Sequence, residues 1–94
     1  MNSTYNYNIL YIPEKEGKEI LRDNVSIMRK NILRLLSDKK ITQAKLCRII
    51  DKENSFLSHL LNTPDPNPSL DTIGRIAMAL GVPLFAIFNP NPSK

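Results

Sequence analysis

Ile41-Thr42-Gln43-Ala44-Lys45-Leu46-Cys47-Arg48-Ile49-Ile50-Asp51-Lys52-Glu53-Asn54-Ser55-Phe56-Leu57-Ser58-His59-Leu60-Leu61-Asn62 is the stretch on which the fold turns. Thr42 is a helix-capping residue type, because its hydroxyl can accept from a backbone amide at the start of a helix. Leu46, Cys47 and Ile50 follow at spacings that put them on one helical side. A second helix begins at Asn54, with Leu57, Leu60 and Leu61 on one side and Ser55, Ser58 and His59 on the other. Only Asp51, Lys52 and Glu53 separate the two. The segment therefore predicts two short helices, 42–50 and 54–62, the second presenting small polar side chains outward.

Working toward the N-terminus, Asp23 and Asn24 can cap a helix over about 24–37. Val25, Met28, Ile32, Leu33, Leu35 and Leu36 give it the apolar stripe of a helix with one buried face. Residues 14–19 alternate charges around Gly17 and read as a solvated link, with a turn of helix near Ile20 and Leu21. Tyr5-Asn6-Tyr7-Asn8-Ile9-Leu10-Tyr11-Ile12, which stops at Pro13, reads as a short strand or extended arm.

Toward the C-terminus, Thr63-Pro64-Asp65-Pro66-Asn67-Pro68 places three prolines in six residues, which forbids helix and makes a stiff loop. Ser69 ends the loop as an N-cap. A fourth helix turns Ile73, Ile76, Ala77 and Leu80 inward, carries Asp71 in its first turn and stops at Gly81. Pro83 suits the first position of a fifth, wholly apolar helix over 83–88, closed by Asn89-Pro90-Asn91-Pro92. Met28 and Met78 are read as packing residues. The expected fold is all-α: five short helices with a short N-terminal extended arm. The organisation is an arm over 1–21, partly extended or disordered, a helical domain over 22–89 and a tail over 90–94.

A chain of 94 residues, 41% hydrophobic, suffices for one modest core. Cys47 is the single cysteine and His59 the single histidine, so one chain can form no disulfide and no zinc quartet of cysteines and histidines. Cys47 is assigned to the core. No cofactor is called for, and paired carboxylates with clear roles or a glycine-rich phosphate loop are missing, which places an enzyme well below other readings. Residues 1–11 contain no Lys or Arg and only a short apolar run, giving neither a signal peptide nor a membrane span. A cytoplasmic protein that does not bind membranes is expected. The net charge is +4, and residues 22–62 alone hold nine basic and four acidic residues, a local excess of +5. Such a stretch attracts phosphate backbone. A solvated helix surface explains the charge equally well.

Two short helices joined by about three residues, the second polar outward, are the physical form of a helix-turn-helix. Here the sequence resembles the phage repressor and Cro-like (XRE) helix-turn-helix family. Ile41-Thr42-Gln43-Ala44-Lys45-Leu46 is similar to its apolar-Thr-Gln-x-x-Leu start, and Leu57-Ser58-x-Leu60 to its recognition helix. Pro68-Ser69-Leu70-x-x-Ile73-x-x-Ile76-Ala77-x-Ala79-Leu80-Gly81-Val82 is similar to its fourth helix and following turn. The resemblance covers about two thirds of the chain and implies a compact repressor-like DNA-binding domain.

Carried over residue by residue, it implies that Asn54, Ser55, Ser58 and His59 face base edges in the major groove, Asn54 being the choice for bidentate contact with adenine. Phe56 is assigned to a thymine methyl. Gln43, with Thr42 beside it, resembles the family's phosphate contact at a helix N-terminus, and Asn62 the contact after the recognition helix. Lys45 and Lys52 lie nearby as point charges for phosphates. A wet surface residue is the plain alternative for His59, as is a solvated turn for Lys39 and Lys40.

The departures are informative. The family usually has Gly between these two helices where this chain has Asp51, and Asp enters the left-handed region tolerably. An Arg–Glu ion pair of the family corresponds to Leu36 and Leu61, which are expected to touch; apolar residues can replace such a pair without loss of stability. The proline loop is one residue longer than the common pattern and carries Asp65 where basic residues often sit, which argues against phosphate contact there.

The leading expectation is a sequence-specific double-stranded DNA-binding transcriptional regulator, a repressor. It would bind a near-palindromic operator as a homodimer with helix 3 in the major groove. The apolar 84–88 run serves equally as a dimer contact or as core. The alternative is an antitoxin or other protein-interaction module on the same fold, meeting a protein partner through residues 1–21.

Overall fold

The computed structural model describes residues 12–92. It contains α1 (Glu14–Lys39), α2 (Gln43–Ile49), α3 (Ser55–Asn62), α4 (Leu70–Ala79) and a 3-10 segment (Leu84–Phe88). No strand occurs among the described residues. The extended segment expected over residues 5–12 lies, apart from Ile12, outside them.

The core takes one stripe from each element: Met28, Ile32, Leu35 and Leu36 of α1, Leu46 and Cys47 of α2 with Ile50 just beyond, Leu57 and Leu60 of α3, Ile73, Ile76 and Ala77 of α4 followed by Leu80, and Ile87 of the 3-10 segment. Leu61 is half-buried and packs against this cluster. α2 packs on α3 and α4, while the 3-10 segment bridges α4 and α1. At about 25 cal/mol per Å² of apolar surface, this shared burial is the main force holding short helices that would be marginal alone.

Three helix ends close in the same way. The amide of Ile41 reaches Leu36 O at 3.0 Å, that of Lys52 reaches Cys47 O at 2.8 Å, and that of Val82 reaches Ala77 O at 3.0 Å. The residue before each donor is left-handed: Lys40 at φ 57°, Asp51 at φ 61° and Gly81 at φ 72°. This is the Schellman closure, which satisfies terminal carbonyls and turns the chain sharply. Asp51 therefore performs the turn expected of it. At the other ends, Thr42 Oγ1 accepts from the Lys45 amide and Ser69 Oγ from the Thr72 amide, each at 3.0 Å.

The structure corrects four expectations. α1 begins at Glu14, not near Asn24, so residues 14–21 of the supposed arm are helical. Their charges lack apolar period, but Glu and Lys are good helix formers, and extending a helix already nucleated on the core is cheap. Glu14 and Glu16 sit at its positive end, and Lys18 pairs with Glu14 at 3.2 Å. The fifth helix is a 3-10 turn over five residues, leaving four α-helices among the described residues. Pro83 precedes it, and the prolines at 90 and 92 deny it the length an α-helix needs. Leu33 is 47% exposed and Met78 is 81% exposed. Each follows a core residue by one position, about 100° round the helix, and so leaves the buried stripe.

Candidate nucleic-acid interface

α3 is eight residues long, and its sequence divides it cleanly. Leu57 and Leu60 are buried, Leu61 is half-buried, and Ser55, Ser58, His59 and Asn62 are exposed. Phe56 is half-buried at the edge, with Lys52 Nζ 5.2 Å above its ring centre, a cation–π contact that draws the ammonium beside the start of α3. Lys52, Ser55, Phe56, Ser58, His59 and Asn62 line one concavity along this face.

Asn54 occupies the N-cap position in a helical conformation, and its side chain makes no capping bond. Its main-chain oxygen accepts from the buried Cys47 thiol at 3.7 Å, which ties the start of α3 to α2. The Asn54 amide group is thus exposed and uncommitted, with a donor and an acceptor side by side. Asn62 is different: Nδ2 donates to Ser58 O at 2.7 Å. One amide proton covers a terminal carbonyl of α3, leaving the second proton to donate elsewhere. Thr42, Gln43 and Lys45 are all exposed at the start of α2. The Thr42 hydroxyl accepts from the Lys45 amide and keeps its own proton to donate. Every residue expected to meet DNA is at least partly exposed; Ser55, Phe56, Ser58, His59 and Asn62 converge with Lys52 on one concavity, which Asn54, Thr42, Gln43 and Lys45 do not line.

Over residues 31–92 the sequence matches the Cro/C1-type HTH DNA-binding domain. The chain belongs to this family. The Cro/C1-type match begins in the last third of α1 and spans both helices of the pair, the proline loop, α4 and the 3-10 segment. The crystal structure of the hypothetical transcription factor NHTF from Neisseria is similar, with a TM-score of 0.68 and 23% identity over 74% of this chain and 79% of that one. At this identity the likeness speaks for the fold. Among curated proteins, none matches the sequence.

Two residues around the helix-turn-helix gain a role that the sequence pattern does not give them. Glu53 lines the same concavity as the α3 side chains. Its carboxylate repels phosphate but can accept from a cytosine amine. Arg29, counted only as charge, is half-buried on α1 and donates from Nε to Leu60 O at 3.2 Å and from Nη2 to Thr63 O. Local pattern carries no signal for Arg29, whose partners lie 31 and 34 residues away.

Proposed function

We propose that this Cro/C1-type domain is a sequence-specific regulator of transcription, a repressor that binds a near-palindromic operator as a homodimer with α3 in the major groove. The observation that supports this most is the outward face of α3, where polar side chains are exposed and the Asn54 amide caps nothing. Asn54 makes the bidentate contact to adenine, Ser55, Ser58 and His59 read neighbouring base edges, and Phe56 meets a thymine methyl. Gln43, Thr42 and Asn62 donate to phosphates, and Lys45 and Lys52 add salt-dependent attraction.

The size of the surface supports a dimer. One eight-residue helix reads few bases, whereas a two-fold pair about 34 Å apart reads two half-sites. The 3-10 segment supports such pairing, since Phe85 is 73% exposed and lies beside the exposed Leu84 and Phe88.

A second reading has its own observation. The first two turns of α1 stand clear of the core, with Ile20 and Leu21 exposed, a surface on which an antitoxin or other interaction module would hold a protein partner. No helix among the described residues is long and apolar enough to cross a membrane.

The test is selection of purified protein against a randomised duplex library at near-physiological salt. Enrichment of one motif with two inverted half-sites supports the regulator. Failure to enrich any motif overturns it and turns attention to the Ile20–Leu21 surface.

A further inference from the structure

We infer that Arg29 is a positioning residue for DNA reading: by bonding Leu60 O and Thr63 O it fixes the pitch of α3 in the groove, without touching DNA itself. The inference rests on the reading of α3 as the recognition helix.

The last turn of a helix leaves carbonyls without intrahelical partners and carries the negative end of the helix dipole. In α3 donors reach the carbonyls of this end from three directions. His59 O accepts from the Thr63 amide at 2.9 Å, Ser58 O from the Asn62 side chain at 2.7 Å, and Leu60 O from Arg29 Nε at 3.2 Å. The first two donors belong to α3 and its C-cap and move with the helix. Only Arg29 belongs to another element, and its second donor, Nη2, holds Thr63 O where the proline loop begins. A planar guanidinium bonding two oxygens at once restrains rotation as well as distance, which an ammonium cannot do.

The consequence falls on specificity. Ser58 and His59 occupy the turns nearest this clamp, and contact with base edges tolerates little displacement. The opposite end of α3 is held separately through the Asn54 carbonyl on Cys47. Releasing Arg29 lets the C-terminal end swing while the N-terminal end stays anchored. Phosphate attraction, which depends on charge more than on geometry, survives such a swing.

The experiment compares wild type with Arg29→Met and Arg29→Lys, each shown to be folded by circular dichroism at the assay temperature. Binding is measured to the selected operator and to a scrambled duplex over a series of salt concentrations. The expected result for Arg29→Met is at least a tenfold loss of discrimination between the duplexes, with scrambled-site affinity and salt slope unchanged. Arg29→Lys falls between, since it keeps the charge and loses the fork. Should Arg29→Met fail to fold, Arg29→Lys alone decides by the same two readouts. A salt slope lowered by about 0.9 with discrimination intact would make Arg29 a phosphate contact and overturn the inference. Unchanged discrimination in the folded variants would overturn it as well. A wild type that selects no motif overturns the reading on which it rests, an outcome seen before any variant is made.

Discussion

Asn31 donates from Nδ2 to Ile87 O at 2.9 Å, joining residues 56 apart in the chain. The same nitrogen serves Asn89 O at 2.9 Å, so one buried amide on α1 holds both the 3-10 segment and the residue after it. A five-residue 3-10 turn has little stability of its own. Asn31→Leu leaves two carbonyls short of a donor and should cost about 2–6 kcal/mol, at 1–3 kcal/mol for each group left unpaired, the low end being expected because Asn89 is only half-buried. Urea unfolding followed by circular dichroism measures it. A loss under about 0.5 kcal/mol would mean that Ile87 alone anchors the segment.

The three left-handed positions give a graded series. Gly81 takes its φ without strain, Asp51 tolerates it, and Lys40 has neither a missing Cβ nor a short polar side chain to help. Gly81→Ala should therefore lose about 1 kcal/mol, all of it from backbone conformation, because a Cβ there would meet only Lys39 Nζ at 4.0 Å. Lys40→Gly should gain about 0.5–1 kcal/mol, and Asp51→Gly less. Shifts of the urea midpoint in that order check the argument. Destabilisation by Lys40→Gly would refute it.

What the sequence made legible was local. Thr42 and Ser69 as caps, Asp51 and Gly81 as turns, and the apolar stripes of all four helices need only neighbours a few residues away. Residues 14–21 were obscured because exposed helix has no apolar period, and helicity there spreads from the core-bound part of α1. Arg29 and Asn31 were obscured for another reason. Both are polar residues on an otherwise amphipathic helix, and their partners at Leu60, Thr63, Ile87 and Asn89 are main-chain oxygens brought near only by the finished fold. The α3 residues stood out because a polar face on a short helix otherwise packed with leucine is visible in the spacing alone.

Base reading and phosphate holding should separate by mutation. Asn54→Ala removes an uncommitted amide and should weaken binding to the selected operator by about 1–3 kcal/mol, while barely changing affinity for a scrambled duplex. Gln43→Ala should weaken both duplexes about equally. Lys45→Ala should do the same and also lower the salt slope by about 0.9. Titrations at several salt concentrations distinguish the three. An Asn54→Ala variant that loses affinity uniformly would move Asn54 from the bases to the backbone.

Leu36 is buried and Leu61 is half-buried against the same core, at the two positions where related domains often carry an Arg–Glu pair. If the two side chains meet, the family's pair can be rebuilt here. Leu36→Arg alone places an unpaired guanidinium in the core and should cost about 3–5 kcal/mol, with Leu61→Glu costing less because that position is already partly wet. Combining them should recover at least about 1 kcal/mol relative to the sum of the single losses, since each charge then has its partner and the desolvation penalty is shared with a hydrogen-bonded pair. A double-mutant cycle from urea unfolding gives that coupling directly. Strict additivity would mean that Leu36 and Leu61 pack on the core separately, leaving the Arg29 bonds to Leu60 O and Thr63 O as the direct link between α1 and the end of α3.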